Sequence, residues 1–200
     1  MMKTILSSFL LIFVTPTLMF ASANYTISAL SAPDGGSLTD VSGASPYGAV
    51  GNSLFGDPSQ FSAVLLPTLW QGGQSALLPT NGNPQGYATA INANGVAVGV
   101  TYQSATDQQP AVWQNGQLQN LSTLTMPGGA ASAINNSGVI AGRIDSDVSG
   151  NYQSQAVIWN HGQATVLGNF QNAQTWASSI NNNGQALLNE TTSSGINGIN

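Results

Sequence analysis

Short runs rich in Val, Ile, Leu and Trp alternate along this chain with turns rich in Gly and Asn, which leaves no room for a helix. Ala111-Val112-Trp113 and Gln117 to Leu121 flank Asn115-Gly116. That dipeptide is a strong hairpin signal, because both central positions of a type I′ turn need positive φ. The sister turns are Gly72-Gly73 and His161-Gly162. A second kind of hairpin joins Ala131 to Ile134 with Val139 to Arg143 through Asn135-Asn136-Ser137-Gly138, where Asn and Gly supply left-handed backbone and local capping. Together the two hairpins predict a unit of four short strands, a to d.

The unit repeats. Leu69-Trp70-Gln71-Gly72, Val112-Trp113-Gln114-Asn115 and Ile158-Trp159-Asn160-His161 alternate with Ile91-Asn92-Ala93-Asn94-Gly95, Ile134-Asn135-Asn136-Ser137-Gly138 and Ile180-Asn181-Asn182-Asn183-Gly184. Trp70 to Trp113 spans 43 residues and Trp113 to Trp159 spans 46, yet each Trp precedes the next Ile-Asn by 21. All variation in length therefore falls in the other half of the unit. Four antiparallel strands per ~40 to 50 residues is the period of a propeller blade. The expected fold is all-β, a partial β-propeller-like array of four-stranded antiparallel blades, with an open β-solenoid as the alternative. Tyr25 to Leu30, followed by Pro33-Asp34-Gly35-Gly36, matches Gln119 to Leu124 followed by Pro127-Gly128-Gly129, which sets Val41 against Ile134. On that match the chain begins, after a leader, with a d strand of the kind that closes a ring by completing the last blade. A degenerate unit from Leu38 to Leu78 and two clear ones follow, and a fourth stops after about two strands. The expectation is a piece of a longer repeat protein, or one that completes itself by self-association through open sheet edges.

The alternation of Ala-Ile-Asn-x-x-Gly-x-x-x-Gly with x-Trp-x-x-Gly-Gln-x-x-x-Leu resembles the HAF-repeat family, bacterial proteins described as probable extracellular repeats. The resemblance covers Tyr25 to Gly184. Ile91, Asn92, Gly95 and Gly99, like Ile134, Asn135, Gly138 and Gly142, match the first motif; Trp113 with Gly116 and Trp159 with Gly162 match the second. The His-Ala-Phe tripeptide that names the family is replaced by Gln155-Ala156-Val157 before Trp159. What the resemblance implies is a secreted repeat protein; it carries over no catalytic residue.

Composition narrows the partners. Only 2 basic and 7 acidic side chains are present, and charged residues make up 4% of the chain against roughly 25% in ordinary domains. Lys3 and Arg143 cannot build a cationic patch, so nucleic-acid binding is excluded. With no cysteine there is no disulfide framework, thiolate zinc site or Cys nucleophile. Lys3 precedes a mostly apolar stretch, Ile5 to Phe20, and Ala21-Ser22-Ala23 supplies a signal-peptidase site. Residues 1–23 are expected to be a signal peptide cleaved after Ala23, since the stretch falls short of the ~20 apolar residues of a bilayer span. Residues 24–189 form one HAF-like β-repeat domain, and 190–200 a frayed tail or the start of the next segment. The expected location is extracellular or periplasmic, with no membrane span once the leader is gone.

Few residues offer chemistry. His161 occupies the left-handed turn slot of Gly72 and Asn115, and no carboxylate or second His is spaced to join it. Glu190 is the sole glutamate and the aspartates are scattered, so no catalytic residue is expected; an extracellular hydrolase, or the remnant of one, is the alternative. Asp145, Asp147 and Ser149, with Gly150, match the opening of a calcium loop, but the closing carboxylate position is Ala156, so the expectation is a solvated turn and no cofactor. Trp70, Trp113 and Trp159 are expected to pack between blades. Tyr87 and Trp176 share a position four residues before Ile91 and Ile180. Aromatic faces beside Asn and Gln amides suit uncharged glycans, so these two residues are the candidate binding positions on a surface module for glycans or a surface protein.

Overall fold

Turns of Gly and Asn cut the chain into strands β1 (Leu10–Val14), β2 (Tyr25–Ala29), β3 (Gly36–Ala44), β4 (Ala49–Phe55), β5 (Val64–Gln71) and β6 (Gln74–Leu77). There follow β7 (Gln85–Ile91), β8 (Ala97–Tyr102), β9 (Gln108–Gln114), β10 (Gln117–Asn120), β11 (Gly128–Ile134) and β12 (Ile140–Val148), then β13 (Asn151–Asn160), β14 (Gln163–Val166), β15 (Ala173–Ile180) and β16 (Ala186–Thr192). The structure, a computed structural model, describes residues 10–14, 25–57, 59, 62–104, 107–148, 151–168 and 173–192. Among them no helix is long and apolar enough to cross a membrane.

Three antiparallel meanders form, β3-β4-β5-β6, β7-β8-β9-β10 and β11-β12-β13-β14, here called blades 1 to 3. The pair β15-β16 makes the first half of blade 4, and β1-β2 is a separate two-stranded sheet. Strand β3 lies against β7, β7 against β11 and β11 against β15, so the first strands converge and the sheets fan out from them. The fold is all-β, a partial propeller-like array of four-stranded antiparallel blades. Blades meet face to face rather than through ladders that run from one unit to the next, which sets the solenoid alternative aside.

The left-handed turns sit where the residue types demand. φ is 58° at Gly72, 52° at Asn115 and 49° at His161, the same slot in three successive c–d turns. A different constraint acts at the second glycine of the first motif. The a–b ladders break register between Ala88 and Ala90 and between Ala131 and Ala133, and at these bulges the backbones close up. A Cβ on Gly99 or Gly142 would run into the carbonyl oxygen of Tyr87 or Ala130. Blade 4 places Leu188 at this point, opposite Ala177, and its side chain is 37% exposed.

Each interface between blades buries its own small core. Val50, Ala88, Ile91, Ala97, Ala111 and Trp113 fill the space between blades 1 and 2. Val98, Ala131, Ile140, Ile144, Val157 and Trp159 do so between blades 2 and 3. Alanines on the facing strands let the sheets approach closely, and in each of these two interfaces one indole is the largest buried side chain, whereas Ala141, Ala156 and Ala177 meet between blades 3 and 4 without one. Trp113 and Trp159 are each 1% exposed. Their indole Nε1 groups donate at 2.7 Å to the carbonyls of Pro79 and Ser122, each at the exit of the preceding blade's outer strand. Trp70 makes the same 2.7 Å bond to Ser31, just after β2. By that bond β2 stands where a d strand would stand ahead of blade 1.

Several expectations change. The match of Val41 to Ile134 is shifted by three residues: Ala44 pairs with Ala49 as Ile134 pairs with Ile140 and Ile91 with Ala97. The Gly pairs misled, because Gly35 is a turn residue with φ of 81°, closed by Gly36 N donating to Pro33 O, whereas Gly128 and Gly129 open β11. The degenerate first unit is a complete four-stranded blade with Ala44-Ser45 in the Ile-Asn slot, and its a–b ladder breaks register twice where those of blades 2 and 3 break once. Strand β2 pairs with β1 and makes no ladder with blade 4, so the ring is open among the described residues. Strand β16 runs to Thr192, so the boundary at 189 falls inside a strand; residues 193–200 lie outside the described set. Of the expected leader only Leu10–Val14 is described, as β1, and the expected cleavage site lies outside the described residues.

Candidate functional site

In a meander the a–b and c–d turns share one end, and here that end is built from asparagine. Asn92 and Asn135 are 3% and 4% exposed. Each Oδ1 accepts two backbone N–H groups of its own turn, from Asn94 and Val96 and from Ser137 and Val139, all at 2.9 to 3.0 Å. Each Nδ2 then donates onward to the next blade, Asn92 to Asn135 O at 3.0 Å and Asn135 to Asn181 O at 3.1 Å. Ser45 Oγ starts the series on Asn92 O at 2.9 Å. An ionised carboxylate could only accept, and a hydroxyl does both from a single oxygen, whereas an amide accepts at one atom for its own turn and donates from another to the next blade. This accounts for the recurrence of Asn after Ile. Asn181, the last of the series, is exposed and its Nδ2 turns to Gln185 Oε1 of its own turn.

Two concavities open at this end. A 350 Å³ funnel lies where the four a–b turns converge, lined by Ala44, Ile91, Ile134 and Ile180 with Ser45, Asn92, Asn135 and Asn181. A larger groove of 710 Å³ runs between blades 2 and 3, lined among others by Asn94, Gln114, Gln119, Asn120, Asn136 and His161 over Trp159. No carboxylate or ammonium group lines it. The groove can therefore bind by neutral hydrogen bonds and by apolar contact with its floor. His161, read from the sequence as a turn residue only, sits both in the turn and on the groove wall.

Tyr87 and Trp176 lie near the other end. They hold equivalent positions on β7 and β15, with β11 and its Ala130 between them, so the structure does not join them into one site. Tyr87 instead meets Tyr102 edge to face, with ring centroids 5.4 Å apart, and both line a 270 Å³ pocket with Pro84, Gln85 and Ser104. Beside it Arg143 Nε donates to both carboxylate oxygens of Asp145 at 3.1 Å, and Nη2 reaches Gln108 of blade 2 at 3.2 Å. Burial and, after it, the neighbouring Tyr87 push the Tyr102 hydroxyl above its ordinary pKa of 10.0. Its neutral form is favoured in the fold, so the contribution is full below pH 10 and is lost as pH rises through the raised value. Melting temperature is expected to fall more steeply above pH 10 in the wild type than in Tyr102→Phe; parallel curves would remove this role.

The calcium-loop reading does not survive as a loop. Asp145 to Val148 belong to β12 and pair with Asn151 to Ser154 in a regular ladder, and the Asp145 carboxylate is held by Arg143. An extended strand cannot wrap its ligands around one ion as that loop does. Ser149 lies outside the described residues. Among the described residues no three His, Asp or Glu side chains gather.

Set against family models, curated proteins and solved structures, the chain matches none of them.

Proposed function

We propose that this protein is a secreted, non-enzymatic repeat module, a rigid surface that binds uncharged polar partners, glycans foremost, or an uncharged protein face. The observation that carries this reading is the neutral, amide-lined groove of 710 Å³ between two blades locked together by the asparagine series. Its volume lies within the roughly 300 to 1,000 Å³ range of ligand clefts. Pre-formed walls reduce the ordering cost of binding. The resemblance to the HAF-repeat proteins supports an extracellular setting, as does the leader-like segment 1–23. Cleavage after Ala23 removes β1, which leaves β2 with a free edge open to self-association.

Export from a bacterial host and N-terminal sequencing are expected to give a chain that starts at Asn24, retained on an array of uncharged glycans. Recovery from the cytoplasm with residues 1–23 in place would overturn the export reading. Turnover of a glycoside or ester by the purified protein would instead favour the hydrolase.

A further inference from the structure

We propose that the groove between blades 2 and 3 is a subsite for one ring of an uncharged saccharide, seated over the bare face of Gly138. The proposal rests on the reading of the protein as a binding module, and it comes from two equivalent clefts in the same molecule. Tyr47 and Asn94 are both the third residue of an a–b turn, counted from Ser45 and Asn92. Between blades 1 and 2 the ring of Tyr47 lies over Gly95, so close that a Cβ there would meet ring atoms at 2.5 to 2.8 Å. The chain thus plugs its own first cleft with a six-membered ring on a glycine platform.

Between blades 2 and 3 the plug is missing. Asn94 stands in the place of Tyr47 and spends its Nδ2 on Asn136 O at 2.9 Å. Gly138, the counterpart of Gly95, has no neighbouring atom within 4 Å of where a Cβ would be, and the 710 Å³ groove opens at this point. The cleft therefore has the shape that accepts a ring and the floor that a ring lies on.

The lining selects the ring's chemistry. Exposed Gln114, Gln119, Asn120 and His161 stand on the walls. An aromatic hydrocarbon would cover these amides without pairing them, which is costly. A pyranose offers an apolar C–H face to the platform and hydroxyls to the amides. A charged sugar would lose hydration and meet no counter-charge in the groove.

The test uses the exported protein, a series of neutral hexasaccharides of glucose and mannose, and amide NMR titration alongside array retention. Saccharide is expected to shift the Ser137 and Gly138 amides. Asn94→Tyr, which rebuilds the plug of the first cleft, should weaken binding about tenfold or more with melting temperature unchanged. If that variant fails to fold, the exposed pair Gln114→Ala with Gln119→Ala decides, with an expected loss of about threefold to tenfold. Retention that survives both changes, or that is lost in Tyr87→Ala or Trp176→Ala instead, overturns the groove while leaving the binding module standing. If the wild-type protein retains no neutral glycan, the glycan reading itself falls and the subsite with it.

Discussion

Trp113→Ala is expected to lower folding stability by about 3 to 5 kcal/mol, the range for deleting a large buried aromatic side chain. The indole is 1% exposed, pairs with Ala97 across the ladder and packs on Val50 of the preceding blade. The small residues around it, Ala88, Ala97 and Ala111, have no side-chain length with which to fill the cavity, so collapse would recover little. The Pro79 carbonyl also loses its donor, worth about 1 kcal/mol of the whole. Trp113→Phe separates the two contributions, since it keeps most of the apolar volume and removes the donor. Chemical denaturation at equilibrium reads both. A loss under about 1 kcal/mol for the alanine variant would mean that the indole does not wedge blades 1 and 2 together.

Asn135→Ala is expected to cost about 2 to 4 kcal/mol, because three hydrogen bonds at a side chain 4% exposed disappear together. Ser137 N and Val139 N lose their acceptor and Asn181 O loses the bridging donor. Asn135→Asp keeps an acceptor for the two turn N–H groups but, when ionised, faces the Asn181 carbonyl without a proton to give, so it should also destabilise at neutral pH. Asn181→Ala is the internal comparison: the same motif position, but exposed and with its side chain bonded only within its own turn, while its backbone carbonyl, which Asn135 reaches, is kept. Its loss should stay under about 1 kcal/mol. Equal losses at Asn135 and Asn181 would show that the residue acts only as a turn cap. Hydrogen exchange of the β15 amides should quicken in Asn135→Ala if the bridge ties blade 4 to blade 3.

Much of the architecture was legible in the residue order. Strand hairpins around Asn115-Gly116 and His161-Gly162, the four-strand unit and the inter-blade role of Trp113 and Trp159 follow from turn chemistry and from the area an indole must bury; Trp70 is buried too, but bonds Ser31 after β2, ahead of blade 1. The N-terminal alignment was not, because a Gly-Gly pair looks the same whether it turns the chain, as at Gly35, or opens a strand, as at Gly128. Asp145 to Val148 misled for a similar reason: acidic and small residues mark a loop by composition, yet pairing with Asn151 to Ser154 extends the hairpin through them. The groove was harder still. Its lining comes from the turns of one blade and the outer strand and turn of another, and no linear motif carries that juxtaposition. The comparison of Tyr47 with Asn94 could have hinted at it, had the Ala44-Ser45 slot been aligned correctly.

Taken alone, the order of residues determined where the chain turns and which strands pair within a blade, because Gly and Asn at fixed spacing admit left-handed backbone where other residues resist it. Tertiary structure alone decided which repeats of one motif become buried connectors and which stay at the surface. Asn92, Asn135 and Asn181 hold the same place in the Ile-Asn-x-x-Gly motif, but a side chain can bridge only where another blade lies beside it. The same holds for the clefts, since whether Gly95 or Gly138 is covered depends on what the neighbouring blade projects over it.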